Sequence, residues 1–170
     1  MATSGRSGLA EDKWVLAAEA AKRTARWARI MTKVLISQSS NKSSRQQPQW
    51  EILNFVGRNK AESRGIVDLL AIRKSHAEPG GKLKRGDLLE MVIIQVKGGK
   101  AKWPTAEDRE RLRVVQERYG AREVLLSEWR EGSRACFYRL SDDEWQLLAN
   151  PEEVFSPKTK KLTLAVSKAQ

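Results

Sequence analysis

From Glu11 to about Leu35 the apolar positions recur at helical spacing: Trp14, Ala17, Ala18, Ala21, Ala25, Ala28, Met31 and Leu35 fall on one stripe. This predicts an amphipathic helix whose flanks carry Lys22, Arg23, Arg26, Arg29 and Lys33. The polar stretch from Ser37 to Pro48 has no period and predicts a mobile loop over 37–49. Three apolar runs follow. Trp50 to Val56, Ile66 to Ile72 and Leu88 to Lys97 predict a meander of three strands, with Pro79-Gly80-Gly81 as the tip of the second connection. A helix is expected from Thr105 to Tyr119, opened by a Thr-x-x-Asp variant of the capping box, stopped by Gly120 and buried through Leu112, Val115 and Tyr119. Glu123 to Trp129 and Ala135 to Leu140 read as strands joined by a polar turn, and Ser141-Asp-Asp-Glu144 as a capping box opening a short helix that carries Trp145, Leu147 and Leu148. The order implies an α/β fold with a mixed central β-sheet flanked by helices. A single domain is expected over 1–155, followed by a loose basic tail over 156–170 in which Leu162 to Val166 could add an edge strand.

Composition narrows the function classes. The 170 residues include 32 Lys+Arg against 21 Asp+Glu, a net charge of +11. The excess is +6 in residues 1–50 (9 basic, 3 acidic) and +4 in 51–100 (10 basic, 6 acidic), against −1 in 101–150 (9 basic, 10 acidic). Such a field favours a polyanion, nucleic acid first. One cysteine, Cys136, makes neither an internal disulfide nor a zinc spacing, and it is expected buried in its strand, as His76 is expected solvated. Trp14, Trp50, Trp129 and Trp145 are expected in core or rim packing. No apolar run is long enough for a membrane span, so a cytoplasmic, nucleoid-associated protein with no membrane partner is expected.

Two of the apolar strands carry polar groups that a silent core would avoid. Asp68 interrupts Ile66-Val-Asp-Leu-Leu-Ala-Ile72, where an unpaired carboxylate would cost several kcal/mol. Gln95 and Lys97 close the run Met-Val-Ile-Ile, and period-two geometry puts both on one face. Side by side, these strands would offer an anionic oxygen, a neutral amide oxygen and an ammonium. That set suits a divalent Mg²⁺ or Mn²⁺ ion held by Asp68 and Gln95, with Lys97 near the attacking water. The alternative for Asp68 is a core-edge carboxylate that caps a neighbouring turn or pairs with Arg64 or Arg73, and for Gln95 and Lys97 a strand emerging into solvent before Gly98-Gly99.

Gly65-Ile-Val-Asp68 followed by Ile94-Gln95-Val-Lys97-Gly-Gly resembles the core of the PD-(D/E)xK nuclease superfamily. The continuation through Pro104 to Leu112, Arg118 to Leu126 and Cys136 to Leu140 is similar to archaeal-type Holliday junction resolvases, with the likeness covering roughly residues 10–140 and clearest over 64–126. The resemblance implies a restriction-endonuclease-like core, a metal-dependent DNA endonuclease of repair or recombination, a structured DNA substrate, a homodimer and no organic cofactor. Gln95 departs from the usual Glu or Asp, although some branches of the superfamily also use Gln-x-Lys. The resolvases supply a further acid from the first helix; Glu19 is the candidate, with Glu51 or Glu62 as substitutes. Against Glu19 stands an ordinary helical ion pair with Lys22 or Arg23.

Candidate DNA contacts are Lys22, Arg26 and Arg29 on the helix, Lys82, Lys84 and Arg85 beside the hairpin tip, and Lys100, Lys102 and Trp103 beyond Lys97. Two rivals to the enzyme stay open: a catalytically degenerate DNA-binding module, and an endonuclease subunit that cuts only within a larger complex.

Overall fold

The computed structural model describes residues 7–41, 49–55, 65–75 and 81–156. In chain order the elements are helix α1 (Ser7–Asn41), strands β1 (Glu51–Asn54), β2 (Leu69–Lys74) and β3 (Leu89–Gly98), helix α2 (Ala106–Tyr119), strands β4 (Glu123–Trp129), β5 (Cys136–Ser141) and β6 (Glu144–Leu147), and helix α3 (Glu152–Phe155). The fold is α/β, as expected. Its six strands lie in sequence order in one open mixed sheet, and the single parallel pair is β3–β4, because α2 is the crossover that returns the chain to the same end.

Alternation along the strands divides the core into two layers. Val92 and Ile94 of β3, Leu125 of β4, Leu69 and Ala71 of β2, and Phe137 of β5 pack beneath Leu35 and Ile36 of α1 and Val154 and Phe155 of α3. Ile93, Val124 and Ala121 pack on the other face with Leu112 of α2, joined by Leu70, Met91, Val115 and Trp145.

α1 is held by the face Ala28, Thr32, Leu35, Ile36 and Ser39, all buried. Thr32 Oγ1 donates to the Ala28 carbonyl (2.7 Å) and shares a 2.7 Å hydrogen bond with Ser127 Oγ of β4, so the polar groups in this seam are satisfied. Gly98 is where β3 meets the helix: a Cβ there would stand 3.0 Å from Ala28 Cβ and 3.1 Å from the Thr24 carbonyl. The expected apolar stripe is therefore buried only from Ala28 onward, and Trp14 is 78% exposed rather than packed. Length explains this, since 35 residues of helix span about 52 Å while the ten residues of β3 span about 33 Å. The helix also overrides the loop expected over 37–49: Ser37–Asn41 is helical, with Ser39 buried, and 42–48 lie outside the described residues.

α2 has the termini its sequence encodes. Asp108 N–H donates to Thr105 Oγ1 and Thr105 N–H to Asp108 Oδ2, and Gly120 ends the helix in the left-handed region. Of its expected buried face, Leu112 is buried, Val115 partly so, and Tyr119 is exposed. The short helix expected after Ser141 is instead a hairpin. Asp142 and Asp143 take φ of 49° and 64°, forming a two-residue turn that pairs Leu140 with Trp145. Cys136 starts β5 with its side chain exposed. Arg64, His76, the Pro79-Gly80 tip and the tail from 157 lie outside the described residues. Among those described, no helix is long and apolar enough to cross a membrane.

Candidate metal centre

Where β2 begins, its pairing with β3 breaks register. The ladder pairs Leu69 with Ile94, yet the Asp68 N–H also donates to the Ile94 carbonyl (3.1 Å) while the Asp68 carbonyl accepts from Phe55 N–H of the β1 side (3.1 Å). In a regular antiparallel strand both backbone groups of one residue point to the same neighbour, so the chain is bulged at Asp68. The slip withdraws the carbonyl that register would offer to Val96. Asp68 Oδ2 replaces it, accepting from Val96 N–H at 2.7 Å. This is why β2 starts at Leu69 and not at Ile66, and it fixes the carboxylate beside the backbone of Ile94–Val96.

On β3, Val92, Ile94 and Val96 turn toward α1, so Gln95 and Lys97 lie on the α2 face beyond Ile93. Gln95 is 7% exposed, and its Oε1 is buried with no hydrogen-bond partner among the described residues. A buried carbonyl oxygen left without a donor costs about 1–3 kcal/mol, a cost that a water or a cation would offset. Lys97 is half-buried and forms no ion pair among the described residues. The register thus sets Asp68, Gln95 and Lys97 at one end of the central strand.

One partner in this region was not foreseen from sequence. The parallel register sets Glu128 of β4 directly beside Lys97. Its Oε1 accepts from Arg130 at 2.9 Å and its Oε2 from the Tyr138 hydroxyl at 3.4 Å. Tyr138, on β5 opposite Leu126, in turn meets the Trp103 ring edge-on, 4.7 Å between centroids. Burial, and then the neighbouring Glu128 charge, push the Tyr138 phenol above its ordinary value of 10.0. An alkaline absorbance titration should therefore resolve a late phenol that belongs to Tyr138. In Glu128→Gln the late step should move down toward 10, because the carboxylate that disfavours phenolate is gone; an unmoved step would mean that Glu128 and Tyr138 do not touch in solution.

The other predicted residues scatter. Glu19 is exposed on α1, across the sheet from Gln95, and nine residues, half a helical rotation, from the Ala28 face that meets Gly98. It does not join the centre. Glu51 is exposed at the far end of the β1–β2 pair, opposite Ile72, and Glu62 lies outside the described residues. Lys22, Arg26 and Arg29 are near the correct end of the sheet but on α1, hence in the opposite layer. Lys82, Lys84 and Arg85 precede Leu89, six residues or about 20 Å along β3 from Gln95, at the wrong end. Lys100, Lys102 and Trp103 alone among the predicted contacts follow directly from the centre. Arg73 is engaged elsewhere, bonded to Glu90 at 2.8 Å and stacked on Trp50 at 4.4 Å.

A fit to Mg²⁺ or Mn²⁺ rests on donor chemistry: a carboxylate and an unpartnered amide oxygen are the hard oxygen ligands such ions prefer. Among the described residues no three His, Cys, Asp or Glu side chains gather as a metal cage. Scans against protein-family models, curated proteins and solved structures give no significant match to this chain.

Proposed function

We propose that this chain is a metal-dependent DNA endonuclease of PD-(D/E)xK type, with a restriction-endonuclease-like core and a layout closest to archaeal-type Holliday junction resolvases. The observation that carries the reading is the buried Gln95 Oε1, without a hydrogen-bond partner among the described residues, on the strand whose next residue, Val96, binds the bulge-fixed Asp68 carboxylate, with Lys97 following on the Gln95 face. Asp68 and Gln95 would hold the ion. When bound, a divalent ion lowers the pKa of an attacking water and offsets the charge growing on the phosphate. Lys97, without an ion pair of its own among the described residues, is free to bind a phosphate oxygen and stabilise it as the bond to the leaving oxygen breaks. The basic surface supplies affinity without reading sequence.

The test is cleavage of duplex, flap, four-way-junction and single-stranded DNA in Mg²⁺ and Mn²⁺, with Lys97→Ala as control. Cleavage of at least one form, reduced about 10²-fold or more in the control, is expected. The neutral Gln95, with no gathered third acid among the described residues, favours the degenerate binding module as second reading. That module would bind DNA with steep salt dependence and cut none of these forms in either metal.

A further inference from the structure

Trp103 is a large aromatic side chain that belongs to neither layer of the core. It lies in the connection from β3 to α2, eight residues after Gln95, and is 40% exposed, although the next residue, Pro104, is buried. Its ring is not loose. One side meets Tyr138 edge-on at 4.7 Å, and Tyr138 is itself tied through its hydroxyl to Glu128, the neighbour of Lys97 in register. The indole is therefore anchored through β5 to the sheet whose strand β3 carries Gln95 and Lys97, and it stays 40% exposed. Exposed Lys100 and Lys102 precede it, and Glu128, the carboxylate bound by its neighbour Tyr138, has both oxygens engaged by Arg130 and Tyr138. Apolar π surface bordered by ammonium groups that form no ion pair among the described residues is complementary to a base and its phosphates.

We infer that Trp103, braced by Tyr138, is a stacking platform for one unpaired base of the DNA substrate, with Lys100 and Lys102 on the adjacent phosphates. This rests on the nuclease reading and adds the form of substrate. A base within an intact duplex has no free face to offer, whereas a base in a single-stranded flap, overhang or junction arm does. The platform thus selects DNA with an unpaired nucleotide near the scissile phosphate, and it selects by stacking, without preference for one base.

The experiment uses the full chain in EDTA, where cutting is absent, and measures anisotropy of labelled single-stranded, flapped and blunt duplex oligonucleotides. The intact protein should bind the first two more tightly than the third. Trp103→Ala should weaken binding of single-stranded and flapped DNA about tenfold, the worth of one base stack, and leave blunt duplex unchanged. Trp103→Phe should retain most of the affinity, and Trp103→Leu, which keeps apolar bulk without a π face, should behave as alanine does. Equal loss on all three DNAs, no loss on any, or full rescue by leucine overturns the platform while leaving a DNA-binding nuclease intact. Failure of the unaltered protein to bind any of the DNAs overturns both.

Discussion

An Asp68→Asn protein is expected to remain folded and to lose metal-dependent cleavage by about 10³-fold, which is roughly 4 kcal/mol of transition-state stabilisation. The choice of asparagine follows from the bulge. Asp68 Oδ2 is the acceptor for Val96 N–H, and the asparagine carbonyl oxygen can occupy the same place at nearly the same volume, while an alanine would strand that N–H at a cost of about 1–3 kcal/mol. Loss of activity in Asp68→Ala would therefore mix damage to the β2–β3 junction with loss of the ligand; the asparagine variant separates them. Two measurements together decide the matter. Single-turnover cleavage in Mg²⁺ and Mn²⁺ reports the chemistry. Thermal unfolding with and without Mg²⁺ reports the ion: an ion that binds only the folded chain raises the melting temperature of the unaltered protein, and the rise should vanish in Asp68→Asn. Cleavage within tenfold of the original in Asp68→Asn would remove Asp68 from the mechanism. A melting temperature indifferent to Mg²⁺ in both proteins would favour the binding module.

How much of this was legible in the sequence depended on whether the deciding interaction was local. The ends of α2 are set by bonds between residues three apart, Thr105 with Asp108, and by the left-handed Gly120, so they could be read directly. β4 was legible because Val124-Leu-Leu126 is a short apolar run, the mark of a strand buried on both faces, between the helix stop at Gly120 and a polar turn. Ser141-Asp-Asp-Glu144 was not. Serine and aspartate accept backbone hydrogen bonds equally well at a helix start and in a tight turn, and what settles the matter here is the pairing of Leu140 with Trp145 over the α2 face. The same limit explains the first helix. Its Ser- and Asn-rich end has weak helical propensity, but Ser39 is drawn into the buried face, so packing extends the helix where composition would stop it. Asp68, Gln95 and Lys97 stood out because they break apolar runs. Glu128 and Tyr138 did not, since their place beside Lys97 exists only once β3, β4 and β5 are adjacent, a relation that the period of any one strand does not contain. Glu19 failed for a complementary reason: the helix pattern was right, but the layer it occupies is a property of the sheet's two faces.

Phe155→Ala should cost about 3–5 kcal/mol, a large share of the 5–15 kcal/mol that holds a domain of this size together. α3 is only four residues long, too short to persist by its own hydrogen bonds, so its place is fixed by what it touches. Phe155 is 0% exposed and meets Trp50 and Phe137 edge-on, at 5.7 Å and 5.9 Å between centroids, joining the residue before β1 to the start of β5. The backbone is tied down as well. Trp50 Nε1–H donates to the Phe155 carbonyl at 2.8 Å, and the Arg122 guanidinium donates to the Val154 carbonyl while pairing with Glu90. Removing the ring opens a cavity between the sheet and α1, beside Leu35 and Ile36, the residues that seat the helix. The urea midpoint should fall by roughly 2 M. Phe155→Leu, which retains most of the volume, should lose less than about 1.5 kcal/mol, and Leu147→Ala, on the exposed side of edge strand β6, should change stability by no more than about 0.5 kcal/mol. A loss below about 1 kcal/mol in Phe155→Ala would mean that α3 is not docked in solution and that the core closes without it. The expected loss would make this last turn of chain part of the scaffold, bracing the sheet face opposite Gln95 and Lys97 and so holding the strands that carry them.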